Sequence, residues 1–182
     1  IGSGATAVTL IPAMAPTAGH ITMLQRSPTY VMPLPRKDPL ANTLRKVLPP
    51  KAAYAATRRF NIGKGRFIYN LCQKQPKIAK RIIRTANVKF LPKQFDVATH
   101  FNPTYNPWDQ RLCAVPDGDL FRTIGKGKAT VVTDKIVRFT KTGILLESGR
   151  EPKADVIVTA TGLKLQLCGG IEVSVDGEVK NA

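Results

Sequence analysis

The apolar and polar positions divide the chain into a strand–helix–strand opening, a helical middle and a strand-rich end. Ala7, Val8, Leu10, Ile11 and Met14 recur at helical spacing, and Pro16 with Gly19 marks the stop. His20 to Gln25 reads as a strand, and Ser27 to Pro39, with four prolines, as an extended connection. From Leu40 to about Val88 the period turns helical. Leu40, Leu44, Val47 and Leu48 predict a short helix stopped by Pro49-Pro50. Tyr54 to Tyr69 and Ile78 to Ile83 predict two or three more, with Gly63, Gly65 and Pro76 as breaks and the aromatic stripe in the core. Leu91 to Pro116 is expected to be a packed but irregular stretch. A short helix around Asp119 to Lys126 and a small meander at 129–133, 136–140 and 143–147 follow. Asp155 to Gly162 is expected as a buried strand ending in a small-residue turn, and Ile171 to Val175 as the start of another.

Between the first strand end and the first helix stands Ile1-Gly2-Ser3-Gly4-Ala5-Thr6-Ala7. It fits G-x-G-x-x-G/A: Gly2 for the tight turn, Gly4 for close approach of backbone to a pyrophosphate, Ala7 for close packing of helix on strand. The N–H groups that open the helix suit a phosphate. At the tip of the next strand come Arg26 and Ser27. An acidic residue there would bond the ribose 2′-hydroxyl of NAD, whereas arginine pairs with a 2′-phosphate and favours NADP. Such a glycine turn is also common as a purely structural device, and Arg26 as a solvated strand-end charge.

Charge adds a second feature. The net charge is +16, from 28 Lys and Arg against 12 Asp and Glu, and no acidic residue occurs between Leu40 and Phe95. A basic field of this kind suits sequence-independent contact with nucleic acid, an anionic membrane surface or an anionic cofactor. Loss of a neighbouring acidic surface accounts for it equally well. No run approaches the roughly 18 apolar residues of a membrane span. With only His20 and His100, and no Cys-x-x-Cys, no metal site is expected. Cys72, Cys113 and Cys168 read as reduced thiols of a cytoplasmic protein. The absence of an initiating Met, and a first strand already ending at Ile1, suggest a piece of a longer chain.

Three motifs together resemble the flavin-dependent monooxygenases, in particular Baeyer–Villiger monooxygenases of the ethionamide-activating type. They are the glycine turn with Arg26-Ser27, the run Trp108-Asp109-Gln110-Arg111-Leu112-Cys113, and Asp155 to Gly162 ending in Ala-Thr-Gly. The resemblance implies an α/β fold: a Rossmann-like NADP-binding domain over 1–162 with a helical insertion about 40–90 and a small β-meander. It implies a fragment of a two-dinucleotide-binding-domain flavoprotein, with 163–182 starting the return toward an FAD domain. It further implies that NADPH reduces FAD, that O2 then forms a peroxyflavin, and that this oxygenates a ketone or a sulfur or nitrogen heteroatom. Gly2, Ser3, Gly4, Ala5, Thr6, Arg26, Ser27, Thr161 and Gly162 would bind cofactor, and Arg111 would be the active-site arginine. Many relatives carry a lysine before that arginine, where this chain has Gln110. The piece alone is not expected to be active. Alternatives are the NADPH domain of another flavoprotein reductase, although a redox Cys pair is absent, and a basic module for nucleic acid or membrane surfaces. Oligomeric state has no signature in the sequence.

Overall fold

Gly4 caps the first helix with extended backbone, and α1 runs Ala5–Met14. Pro12 falls in its later half, where the missing N–H forfeits the bond to Val8. Ala7, Val8 and Ile11 form the face that α1 buries. The computed structural model describes residues 1–163 and 167–180. The side chain of Cys168, expected as a thiol, lies outside what is described.

β1 (Ile21–Gln25) pairs in parallel with β4 (Ala129–Thr133). The opening residues extend this layer. The Gly2 N–H donates to the Leu24 carbonyl at 2.8 Å, and on the other side Ala160 N–H donates to the Ile1 carbonyl at 2.7 Å. The Ile1 amino group donates to the Val158 carbonyl at 2.6 Å. Backbone order across the layer is therefore β4, β1, Ile1–Gly2, then 158–160.

β2 (Tyr30–Leu34) and β3 (Leu112–Pro116) form a second parallel pair, with Tyr30 opposite Leu112. Both correct the expectation of an extended connection and an irregular stretch. Pro33 and Pro116 obscured them. In a two-stranded sheet every strand has a free edge, where a residue without an N–H is tolerated. Leu91 to Pro116 also holds one helical turn, α5 (Val97–His100), whose start is capped by the Asp96 carboxylate accepting from the Thr99 N–H at 3.0 Å.

The insertion comprises α2 (Pro39–Val47), α3 (Pro50–Lys74) and α4 (Pro76–Val88). Asp38 caps α2, accepting from the Ala41 N–H, and its other oxygen accepts from Asn61 Nδ2 at 2.8 Å. Pro76 separates α3 from α4 as expected, but Gly63 and Gly65 do not break α3. A mid-helix glycine costs about 0.5–1 kcal/mol, too little to stop a helix of 25 residues. The aromatic stripe is not core either: Tyr54, Phe60, Phe67 and Tyr69 are exposed, Phe67 at 68%. α3 buries only Ala53 and Cys72, near its two ends.

α6 (Asp119–Gly125) packs against α1. Between them and the two parallel pairs lies the main core, where Val8, Ile11, Met23, Val31, Val115 and Phe121 meet. β5 (Ile136–Phe139) and β6 (Ile144–Leu146) form an antiparallel hairpin beneath which Leu24, Val132, Ile144 and Leu146 make a smaller cluster. Asp155 to Gly162 does not form the buried strand expected of it. Val156 is 75% exposed, and the segment's backbone meets Ile1 at Val158 and Ala160 while its apolar side chains stay exposed. A hairpin of β7 (Val173–Val175) and β8 (Glu178–Lys180) follows.

Candidate functional site

A cleft of about 610 Å³ opens where the glycine turn, the end of β1 and the approach to β3 converge. Gly2 sits in it with φ +124°, and a Cβ there would run into the Ala160 carbonyl. Glycine is thus required both by conformation and by the backbone alongside. Ser3 links turn to strand exit. Its Oγ lies 2.8 Å from Thr29 Oγ1 and donates to the Ser27 carbonyl at 3.3 Å. Gly4 offers no capping side chain, and the first turn of α1 holds no acidic residue, so no such side chain competes for its leading N–H groups.

Arg111 reaches this turn from the residue just before β3. A Cβ on Gly4 would stand 2.6 Å from its Nη1, so the guanidinium occupies the space that a side chain at Gly4 would take. Neither carboxylate that could have claimed Arg111 does so. Asp109 accepts from the Asn106 N–H at 3.3 Å, and Asp117 from the Arg36 N–H at 3.1 Å. Among the described residues the ion pairs are Lys135–Glu147 and Lys180–Glu178. Behind Arg111, burial pushes the Cys113 thiol up, with Arg111 pulling weakly the other way.

Of the residues expected at the site, Gly2, Ser3, Gly4, Arg26, Ser27, Arg111 and Thr161 line the cleft together. Ala5 and Thr6 lie on the exposed first turn of α1 and Gly162 one residue beyond Thr161, and none of the three lines it. Sequence reasoning missed Tyr105 and the β5–β6 side of the cleft, where Asp134, Lys135 and Glu147 stand. The hairpin residues match no motif; Tyr105 lies three residues before the run Trp108 to Cys113 that contains Arg111. Beneath the cleft Gln25 is buried, its Nε2 donating to the His100 carbonyl and to Thr133 Oγ1 at 2.9 and 2.8 Å. A second cavity, about 660 Å³, lies beside α4 between Lys80, Arg84, Lys89, Tyr30 and Phe101.

The FAD-containing monooxygenase EthA of Mycobacterium tuberculosis is 54% identical over 179 residues, 98% of this chain and 37% of EthA. This chain is similar in sequence to one portion of the FAD-containing monooxygenases. The probable FAD-binding monooxygenase AlmA of Acinetobacter baylyi is 52% identical over 98% of this chain and 36% of AlmA. The putative FAD-containing monooxygenase MymA of M. tuberculosis is 50% identical over 97% and 36%. The chain therefore spans little more than a third of the length of these relatives. No protein-family model matches it. Among solved structures, an oxidised steroid monooxygenase bound to NADP aligns with TM-score 0.59 at 22% identity, over 88% of this chain and 38% of that one. A caprolactone-bound cyclohexanone monooxygenase aligns with TM-score 0.61 at 17% identity, over 90% and 39%. The fold is that of a portion of these monooxygenases. Among the described residues no helix is long and apolar enough to cross a membrane.

Proposed function

We propose that residues 1–162 are the NADPH-binding portion of an FAD-dependent monooxygenase that transfers one oxygen atom from O2 to a ketone or to a sulfur or nitrogen heteroatom. The observation that carries this reading is the Arg111 guanidinium lying over Gly4, in one cleft with Arg26 and the uncapped start of α1. The residues fit the cofactor. Gly2 and Gly4 leave backbone where a side chain would intrude, and the free N–H groups of α1 receive a pyrophosphate. Arg26 and Ser27, which line the cleft just past β1, would hold the 2′-phosphate by charge-assisted bonds. Arg111 would supply a permanently charged group at the turn, available to an oxyanion. Bound flavin, held mainly by the rest of the longer protein, supplies the oxygen-transfer chemistry. Thr161 closes the opposite wall. The buried, unbridged Cys72 and Cys113 are in keeping with a cytoplasmic setting.

Arg111→Ala in the full-length protein tests this. NADPH should still bind through the turn and Arg26, while oxygenation falls roughly 100- to 1000-fold, the scale for losing one preorganised electrostatic donor. NADPH consumed should then appear as hydrogen peroxide. A variant that oxygenates at the wild-type rate would reduce Arg111 to a structural charge.

A further inference from the structure

One hydroxyl ties the backbone at Arg111 directly to the wall of the cleft. Tyr105, half-buried on the wall of the cleft, donates from its hydroxyl to the Arg111 carbonyl at 3.1 Å. The same oxygen accepts from the Tyr30 N–H at 3.4 Å. Tyr30 returns the contact, its hydroxyl donating to the Tyr105 carbonyl at 2.8 Å, and the two rings meet edge to face with centroids 5.2 Å apart. Tyr30 is itself buried at the start of β2, opposite Leu112, so the pair is seated on the parallel strands. Burial, with Tyr105 adding to it, pushes the Tyr30 phenol up to about 12, which keeps it a donor through the working pH range.

The turn between the two residues is held closed. Asp109 N–H donates to the Asn106 carbonyl at 3.1 Å, and Asn106 N–H donates to Asp109 Oδ2. Trp108 has φ 72°, a left-handed conformation that a bulky residue keeps only when its surroundings enforce it. Its ring lies edge-on to Tyr69 of α3 at 6.1 Å. Tyr105 and Arg111 thus bracket a strained turn, and the part of it left free is the guanidinium over Gly4.

We propose that Tyr105 is a positioning residue for Arg111, its hydroxyl fixing the backbone from which the guanidinium reaches the glycine turn. This rests on the role given to Arg111 above. Without the hydroxyl, the guanidinium spends less time over Gly4, while the phosphate contacts of the turn and Arg26 are untouched. The loss therefore falls on kcat and on the yield of oxygenated product per NADPH, and not on KM for NADPH.

The test is a double-mutant cycle in the full-length monooxygenase, with Tyr105→Phe, Arg111→Ala and the double variant. Cyclohexanone and methyl phenyl sulfide serve as probes. Tyr105→Phe should lower kcat and product yield about 3- to 10-fold, the scale for one or two neutral hydrogen bonds, with KM for NADPH within about 2-fold. In the Arg111→Ala background the same change should add less than about 2-fold. Amide exchange across 105–112 should quicken in Tyr105→Phe, a readout independent of turnover. Tyr30→Phe, which removes only the hydroxyl that holds the Tyr105 carbonyl, should show the same non-additive pattern and stands in should Tyr105→Phe fold poorly. Wild-type kinetics in both variants, or losses that multiply with Arg111→Ala, overturn the proposal and leave Arg111 its role. An Arg111→Ala enzyme that itself oxygenates normally removes that role, and the proposal falls with it.

Discussion

Gly2 and Gly4 lie two residues apart, yet they need to be glycine for different reasons. At Gly2 both φ and the Ala160 carbonyl forbid a side chain, and the obstacle is backbone. Gly2→Ala should therefore destabilise the fold by about 2 kcal/mol or more. At Gly4 the obstacle is the movable end of Arg111. Gly4→Ala should cost no more than about 1 kcal/mol of stability, the scale of a weakened cap. Its methyl group would still displace the guanidinium and keep a pyrophosphate off the turn. NADPH affinity should fall at least about tenfold. Urea denaturation and cofactor titration separate the two; equal loss of stability in both variants would contradict the assignment. Arg26 is the other residue with a selective effect. Losing a charge-assisted bond costs on the order of 1.5–3 kcal/mol, so Arg26→Ala should weaken NADPH roughly 10- to 150-fold and leave NADH nearly unchanged. Equal losses for the two nucleotides would remove Arg26 from the 2′-phosphate.

Elements whose signal is local could be read directly. α1 and β1 came from periodicity flanked by Pro16, Gly19 and Arg26, and β4 to β6 from β-branched runs between turns. β2 and β3 could not be read, because their pairing joins residues far apart in the chain and their prolines look like punctuation. The glycine turn and Arg26 were legible as a site for the same local reason. Tyr105 was not, since its importance comes from Tyr30, 75 residues away. α3 shows the opposite error, in which Gly63 and Gly65 were given more weight than helix energetics allow. Nothing stands within 4 Å of a Cβ at either position, and neither has a positive φ. Gly63→Ala with Gly65→Ala should accordingly raise the stability of the insertion by about 1–2 kcal/mol in total, read from its urea midpoint. A fall would mean that these glycines serve a packing partner.

At the scale of the whole molecule, charge and burial set the response to the medium. The basic insertion should bind nucleic acid only without sequence preference, losing it as salt rises from about 50 to 200 mM. Sequence-selective binding that survives the higher salt would favour the basic-module alternative. His100 governs the response to pH. Burial lowers its pKa below 6.5, outweighing the Asp96 carboxylate, and its Nδ1 lies 2.8 Å from Thr133 Oγ1. Between the folded value and 6.5 the unfolded chain binds the extra proton, so stability is fully present above 6.5 and declines as pH falls through that window. His100→Gln should flatten that decline without altering the separate acid loss from Asp38 and Asp134, whose carboxyls are held below 3.8 by hydrogen bonds. The long helix has a consequence in time. At about 1.5 Å per residue α3 spans roughly 37 Å, and from Ile62 to Phe67 every side chain is exposed. Its own backbone bonds are what hold that middle shut, so it should breathe well before the core unfolds. Deuterium should enter 62–67 orders of magnitude sooner than the amides of α6, whose Leu120 and Phe121 are fully buried. Within α3, trypsin should cut first at Lys64 and Arg66, leaving the parallel strands intact on either side of the nick.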